Sequence, residues 1–324
     1  MSKALLTTAV GSYPKPVYLQ KARNQASSGN LAPSELTKLE RQATEHWIRI
    51  QEELGMDILV DGEMYRGDMV TYFSENMEGF AISGLVRSYG NRYYRKPIAV
   101  APVGRKGAIT VDWWRYAQGL TRKPVKGMLT GPYTMADWSF NEYYPTREAL
   151  VMALAEVVHQ EALDLEHAGA RYIQIDEPAA STRPEEMELA SRALSVVTKG
   201  LSATTITHIC YGDFAAVYDA LVRLPVTQLD LEMANSRYAL LDLIRERGLP
   251  ADKSVAMGVL DVHNHRVESV EEIVAGIKRG LEVLPSDRLY IDPDCGLKTR
   301  TEEESVAKLR NMMAAVRQVR EELG

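Results

Sequence analysis

The feature that most constrains this chain is a repeated alternation: a short apolar run, then a longer stretch whose apolar residues recur at helical spacing. Eight such units can be traced, with apolar runs at 5–10, 57–61, 126–129, 172–175, 207–212, 226–232, 254–259 and 290–295. Strand and helix in strict succession call for a parallel sheet covered by helices. Helix boundaries are legible as well: Pro33-Ser34-Glu35 opens a helix that Gly55 stops, a second runs from Arg147 to His167 before Gly169, and a charged amphipathic one runs from Glu302 to the end. An open doubly wound sheet is the alternative. No Gly-x-Gly-x-x-Gly turn follows the first run, so the dinucleotide fingerprint is missing and the expectation is an α/β chain of the (β/α)8 barrel class, residues 1–324 forming one domain.

One region breaks the rhythm. Residues 81–123, after the second strand, are rich in Tyr, Arg and Gly, and a loop of that length usually carries structure of its own. We expect an insertion containing a hairpin. At −6 the net charge argues against a partner held by bulk positive charge, so neither nucleic acid nor an anionic membrane surface is expected. No run approaches the roughly 20 apolar residues of a membrane span. The two cysteines stand at strand ends beside polar residues and no secretion signal is visible, which favours a reducing compartment, the cytoplasm.

In a barrel every strand's carboxy end faces one mouth, where active sites sit. That placement would gather Ser12, Glu63, Asp176, His208, Cys210, Glu232, His263 and Cys295. His208 and Cys210 lie two apart at the end of a strand, so both point to one face. Cys295 ends the last run and Glu232 ends the sixth. A cysteine at a strand end is commonly just a small buried hydrophobe, and a single glutamate there commonly pairs with a lysine or arginine. Together, one imidazole, two thiols and one carboxylate suit zinc. Asp176 and Glu177 have a bland reading as caps of a turn, and a sharper one as a pair of carboxylates for an ammonium group, a role Glu63 could share.

The motifs Val10-Gly11-Ser12, Asp61-Gly62-Glu63, Trp138-Ser139-Phe140, Gln174-Ile175-Asp176-Glu177-Pro178, His208-Ile209-Cys210 and Asp292-Pro293-Asp294-Cys295-Gly296 resemble, in order, the catalytic half of the cobalamin-independent methionine synthase family. The resemblance covers nearly the whole chain. It implies a methyltransferase that methylates the thiol of L-homocysteine to give L-methionine, with Zn2+ held by His208, Cys210, Glu232 and Cys295. It places the amino-acid part of the substrate against Val10, Gly11 and Ser12, its ammonium near Glu63 and Asp176, and a proton-donating histidine at His263. Arg92, Tyr93 and Trp138 fall where the donor would bind.

The chain also departs from the long enzymes. Its first residues already belong to the catalytic barrel, Thr182 stands where a glutamate is usual, Tyr93 and Tyr94 replace small residues, and His265 replaces a proline. These departures, and a likeness to short archaeal and core-type enzymes, point to methylcobalamin or a methylated corrinoid protein as methyl donor. 5-Methyltetrahydrofolate is the alternative donor. A zinc methyltransferase for another thiol, and a non-enzymatic corrinoid- or metal-binding module, are the remaining alternatives.

Overall fold

A computed structural model describes residues 4–87, 93–210 and 212–324. The six-stranded sheet runs in the order Gly127–Thr130, Tyr172–Asp176, Thr204–Ile209, Gln228–Leu231, Ser254–Gly258, Leu289–Asp292, which is also their order along the chain. Pairing is parallel, as in Gly127↔Ile173 and Val255↔Leu289. Two further parallel bridges, Thr7↔Ile291 and Leu59↔Val125, add the two amino-terminal runs and complete the eight strand positions of a (β/α)8 chain.

Packing divides the chain into two compact units. The first comprises Met1–Tyr65, Trp113–Lys126 and Leu229–Gly324. Here the runs at 5–10 and 57–61, expected as full strands, are reduced to single bridges. Their backbone is still paired: Ile291 N–H donates to Leu6 O (2.9 Å), Ile58 N–H to Thr7 O (3.0 Å) and Lys126 N–H to Leu59 O (2.9 Å). The helix Pro33–Leu54 ends at Gly55, whose φ of 86° is the left-handed stop that glycine adopts without a Cβ penalty. The helix Glu302–Leu323 opens with a reciprocal capping box between Thr301 and Glu304.

The second unit comprises Arg66–Asp112 and Gly127–Gln228. Its longest helix, Arg147–Ala168, is capped by the Thr146 hydroxyl and buries Leu150, Val151, Leu154, Val158 and Leu165. Full burial of such a side chain is worth about 1.5–3 kcal/mol, so truncating Leu154 to alanine should cost about 2–5 kcal/mol. An antiparallel pair, Met77–Arg87 against Tyr93–Arg105 and bulged at Gly79, overlaps the region where an insertion with a hairpin was expected. It begins at Met77, four residues before the expected start at 81. The expected insertion also extends over the helix Val111–Gly119, which its Tyr- and Gly-rich neighbours disguised. Among the described residues no helix is long and apolar enough to cross a membrane.

Candidate metal and substrate site

In the first unit the strand Gln228–Leu231 is wholly buried and delivers Glu232, 5% exposed, at its end. The turn after Glu232 is held by Asp294. Its carboxylate accepts the backbone N–H groups of Met233 (2.9 Å), Ala234 (2.9 Å) and Asn235 (2.8 Å). Gly258 makes room for it, because a Cβ there would overlap the Asp294 side chain. Burial pushes the pKa of Asp294 up to about 7, against the three N–H groups that favour its charged form. Asp294 adjoins Cys295, so one residue anchors both the turn after Glu232 and the segment that carries the thiol.

His263 brings its Nε2 to 3.5 Å from Glu232 Oε2, and its own N–H donates to Asp261 Oδ1 (2.8 Å). The hydrogen bond to Glu232 raises the imidazole pKa, with the nearby Cys295 and Asp261 charges adding to it and partial burial opposing it. Behind this loop the fully buried Lys308 is paired with Glu268 at 2.9 Å.

In the second unit the strand Thr204–Ile209 is buried from Thr205 onward, and alternation puts His208 and Cys210 on one face. Glu177 N–H donates to His208 O (3.0 Å), and Ser181 Oγ–H to Cys210 O (3.1 Å), so the backbone of both residues is tied down. The Glu177 carboxylate turns away to accept Tyr133 N–H (3.0 Å), Thr134 N–H (2.7 Å) and the Thr134 hydroxyl (2.7 Å). Full burial pushes its pKa up to about 7. The capping reading therefore holds for Glu177. Asp176 accepts from Gln174 Nε2 at 2.8 Å and is 7% exposed.

The candidate ligand atoms of His208, Cys210 and Cys295 lie within 4.8 Å of one another. Glu232 is not one of that trio. One imidazole and two thiols, two of the three residues buried, make a borderline-soft donor set that fits zinc.

The segment Val10-Gly11-Ser12 is fixed within the first unit. Leu297 N–H donates to Ser12 O (2.7 Å), a Cβ on Gly296 would strike the Ser12 hydroxyl, and Tyr13 N–H donates to Gly62 O (3.2 Å). Tyr13 stacks on Trp47 with centroids 4.3 Å apart. Gln51 clamps the neighbouring run through two bonds to Val60, 2.8 and 2.9 Å. Glu63 follows Gly62 in the left-handed region, φ 58°, with its N–H on Asp61 Oδ1 (2.9 Å). A non-glycine residue there is strained by about 1–3 kcal/mol and persists only because its surroundings hold it. Trp138, half-buried, follows the short helix Pro132–Asp137, and its carbonyl meets the Tyr94 hydroxyl at 3.5 Å. Arg92 lies outside the described residues. The Tyr93 backbone opens a hairpin strand opposite Arg87.

Asp294 and Glu177 hold these turns through contacts that the sequence does not reveal. The only trace of them is a pair of strand-end glycines, Gly131 and Gly258, each leaving space for a carboxylate.

Residues 5–318 match the family described as cobalamin-independent synthase, catalytic domain. The chain is 39% identical over 322 residues to the methionine synthase of Pyrococcus abyssi, covering 98% of this chain and 94% of that one. It is 40% identical to the 5-methyltetrahydropteroyltriglutamate–homocysteine methyltransferase of Rhodococcus jostii, covering 98% of this chain and 44% of that one. Among solved structures it resembles a B12-independent methionine synthase from Shewanella sp. W3-18-1 in complex with selenomethionine, with TM-score 0.87, 28% identity and 99% of each chain covered. These findings overturn the expectation of methylcobalamin or a methylated corrinoid protein as donor: the matching family is cobalamin-independent, and the donor in the Rhodococcus name is a methylated folate. The departures at Thr182, Tyr93, Tyr94 and His265 misled because single substitutions around a site do not identify its ligand. The chain is an enzyme, a methyltransferase of the methionine synthase type, and it belongs to the cobalamin-independent synthase family as a member of its catalytic domain.

Proposed function

We propose that this protein transfers the methyl group of a methylated tetrahydrofolate to the sulfur of L-homocysteine, giving L-methionine, with zinc held by His208, Cys210, Glu232 and Cys295. The observation that carries the reading is 40% identity across 98% of the chain to a protein named for that donor and that acceptor. The soft donor trio supports the metal.

A free thiol, with a pKa of about 8.5, is mostly protonated at neutral pH, and zinc when bound supplies the Lewis acidity that makes a thiolate available. The chain's own residues do the rest. Val10, Gly11 and Ser12 bind the amino-acid portion of homocysteine through a backbone already braced by Leu297 and Gly62. Glu63 and Asp176 receive its ammonium group. That the Shewanella structure holds selenomethionine agrees with an amino-acid site in this fold. Trp138, with Arg92 and Tyr93, flanks the donor.

In the transfer, homocysteine sulfur forms a bond to the methyl carbon while the methyl–nitrogen bond of the folate breaks and its electron pair returns to nitrogen. That nitrogen leaves well only if protonated. His263, partly exposed and aligned by Glu232, is the residue that delivers the proton.

The test is methionine formation from homocysteine and 5-methyltetrahydrofolate carrying one or three glutamates, by zinc-replete and chelator-stripped protein. Turnover that disappears with the metal and returns with added zinc is expected. Zinc-replete, folded protein that makes no methionine from either folate would overturn the reading.

A further inference from the structure

Within the first unit, the turn that carries Glu63 is held in a conformation its own residue type disfavours. Gly62 and Glu63 are consecutive left-handed residues, φ 79° and 58°, and only the glycine adopts that backbone freely. The glutamate is kept there by hydrogen bonds to the backbone on either side of it. Tyr13 N–H donates to Gly62 O (3.2 Å) and Glu63 N–H to Asp61 Oδ1 (2.9 Å). Lys15 Nζ donates to Glu63 O (3.2 Å) and Arg23 Nη1 to Met64 O (3.1 Å). Two of these donors are cations, and a hydrogen bond from a charged group is roughly twice as strong as a neutral one.

Arg23 is itself aimed by Glu40, whose Oε1 accepts from the same Nη1 at 2.6 Å. Glu40 is buried; burial pushes its pKa up to about 7 while the Arg23 and Lys15 charges pull it back, so both cations lie in its field. It shares a buried face of the helix Pro33–Leu54 with Trp47 and Gln51. Trp47 stacks on Tyr13 and donates to Pro14 O (3.1 Å), and Gln51 holds Val60. One helix face therefore sets the segment before Lys15 and the run before Glu63, and Glu40 adds the charged clamp at the turn. A buried ion pair is a weak source of stability, because desolvation offsets the attraction, so its placement here calls for another use. Without the clamp Glu63 would relax towards negative φ, and rotation about its N–Cα bond would re-aim its carboxylate.

We propose that Glu40, acting through Arg23, is a positioning residue that holds the Glu63 carboxylate where it selects an acceptor thiol bearing an ammonium group. The inference rests on the reading of Glu63 as a partner of the homocysteine ammonium, and adds how the chain keeps it aimed.

The test is titration calorimetry of the zinc-replete protein with L-homocysteine and with 4-mercaptobutanoate, the same thiol acid without its amino group. The wild type should bind homocysteine about tenfold or more tighter, and Glu63→Gln should lower that ratio by about fivefold or more. Glu40→Gln and Arg23→Met should each lower it by at least about threefold, through weaker homocysteine binding with the des-amino thiol unchanged. Arg23→Lys, which keeps a cationic donor, should recover part of the loss. Leu154→Ala, destabilised in the other unit, should keep the wild-type ratio, which separates the aiming of Glu63 from a general loss of stability. A ratio that falls in Glu63→Gln yet keeps its wild-type value in folded Glu40→Gln and Arg23→Met would overturn the proposal alone. Equal affinity of the wild type for the two thiols would overturn the ammonium reading and the proposal with it. The titrations need no methyl donor, so neither result depends on which donor the protein uses.

Discussion

Two buried carboxylates, Glu177 in one unit and Asp294 in the other, use the same device to different ends. Each accepts three hydrogen bonds from the segment it faces, each has its pKa pushed up to about 7 by burial, and each occupies space left by a strand-end glycine, Gly131 or Gly258. Each also adjoins a residue assigned to the site, Asp176 in the first case and Cys295 in the second. Glu177 directs its bonds to the start of the helix Pro132–Asp137, an element of the scaffold. Asp294 directs its bonds to the irregular turn directly after Glu232. Two neighbouring residues at a strand end therefore need not act alike, since one can meet the ligand while the other holds backbone.

That contrast can be broken experimentally, starting from the thiol beside Asp294. Cys295→Ala should abolish methyl transfer and lower bound zinc from about one per chain to a small fraction, as measured by plasma mass spectrometry. His263→Gln keeps the donor trio intact, so zinc should remain while the folate-dependent rate falls by about 10²–10⁴-fold, read from single-turnover kinetics. Full activity in that variant would remove His263 from the reaction.

The direct comparison lies in Asp294→Asn against Glu177→Gln. Asp294→Asn should weaken zinc affinity by about 10–100-fold, because the turn that aims Glu232 and the segment of Cys295 both loosen; competition with a chromophoric chelator measures it. Glu177→Gln should instead cost about 1–3 kcal/mol of stability in denaturant melts, with zinc affinity nearly unchanged in the folded protein. Equal losses of zinc in the two variants would erase the distinction drawn between them. Gly131→Ala should act in the same direction as Glu177→Gln, since a methyl group there displaces the Glu177 carboxylate.

Much of this protein was legible in its residues. The eight-fold alternation, the helix stopped at Gly55, the helix opened before Arg147 and the capping box at Thr301 are encoded within a few positions of where they act, and periodicity and caps are local properties. The same holds for His208 and Cys210, whose two-residue spacing on a strand dictates a shared face. The departures from the long enzymes misled for the methyl donor, where residues around the site were asked to name a molecule. What tertiary structure alone decided depends on partners far apart in the chain. Asp294 reaches residues about 60 positions earlier and Glu177 reaches back more than 40, so no window of sequence shows what either carboxylate holds. The runs at 5–10 and 57–61 have strand-like composition but form single bridges, because ladder length is settled by the neighbouring backbone. The strained turn at Arg237 and Tyr238 is likewise a product of packing: it exists because Gly276 admits the tyrosine ring and Met233 accepts its N–H.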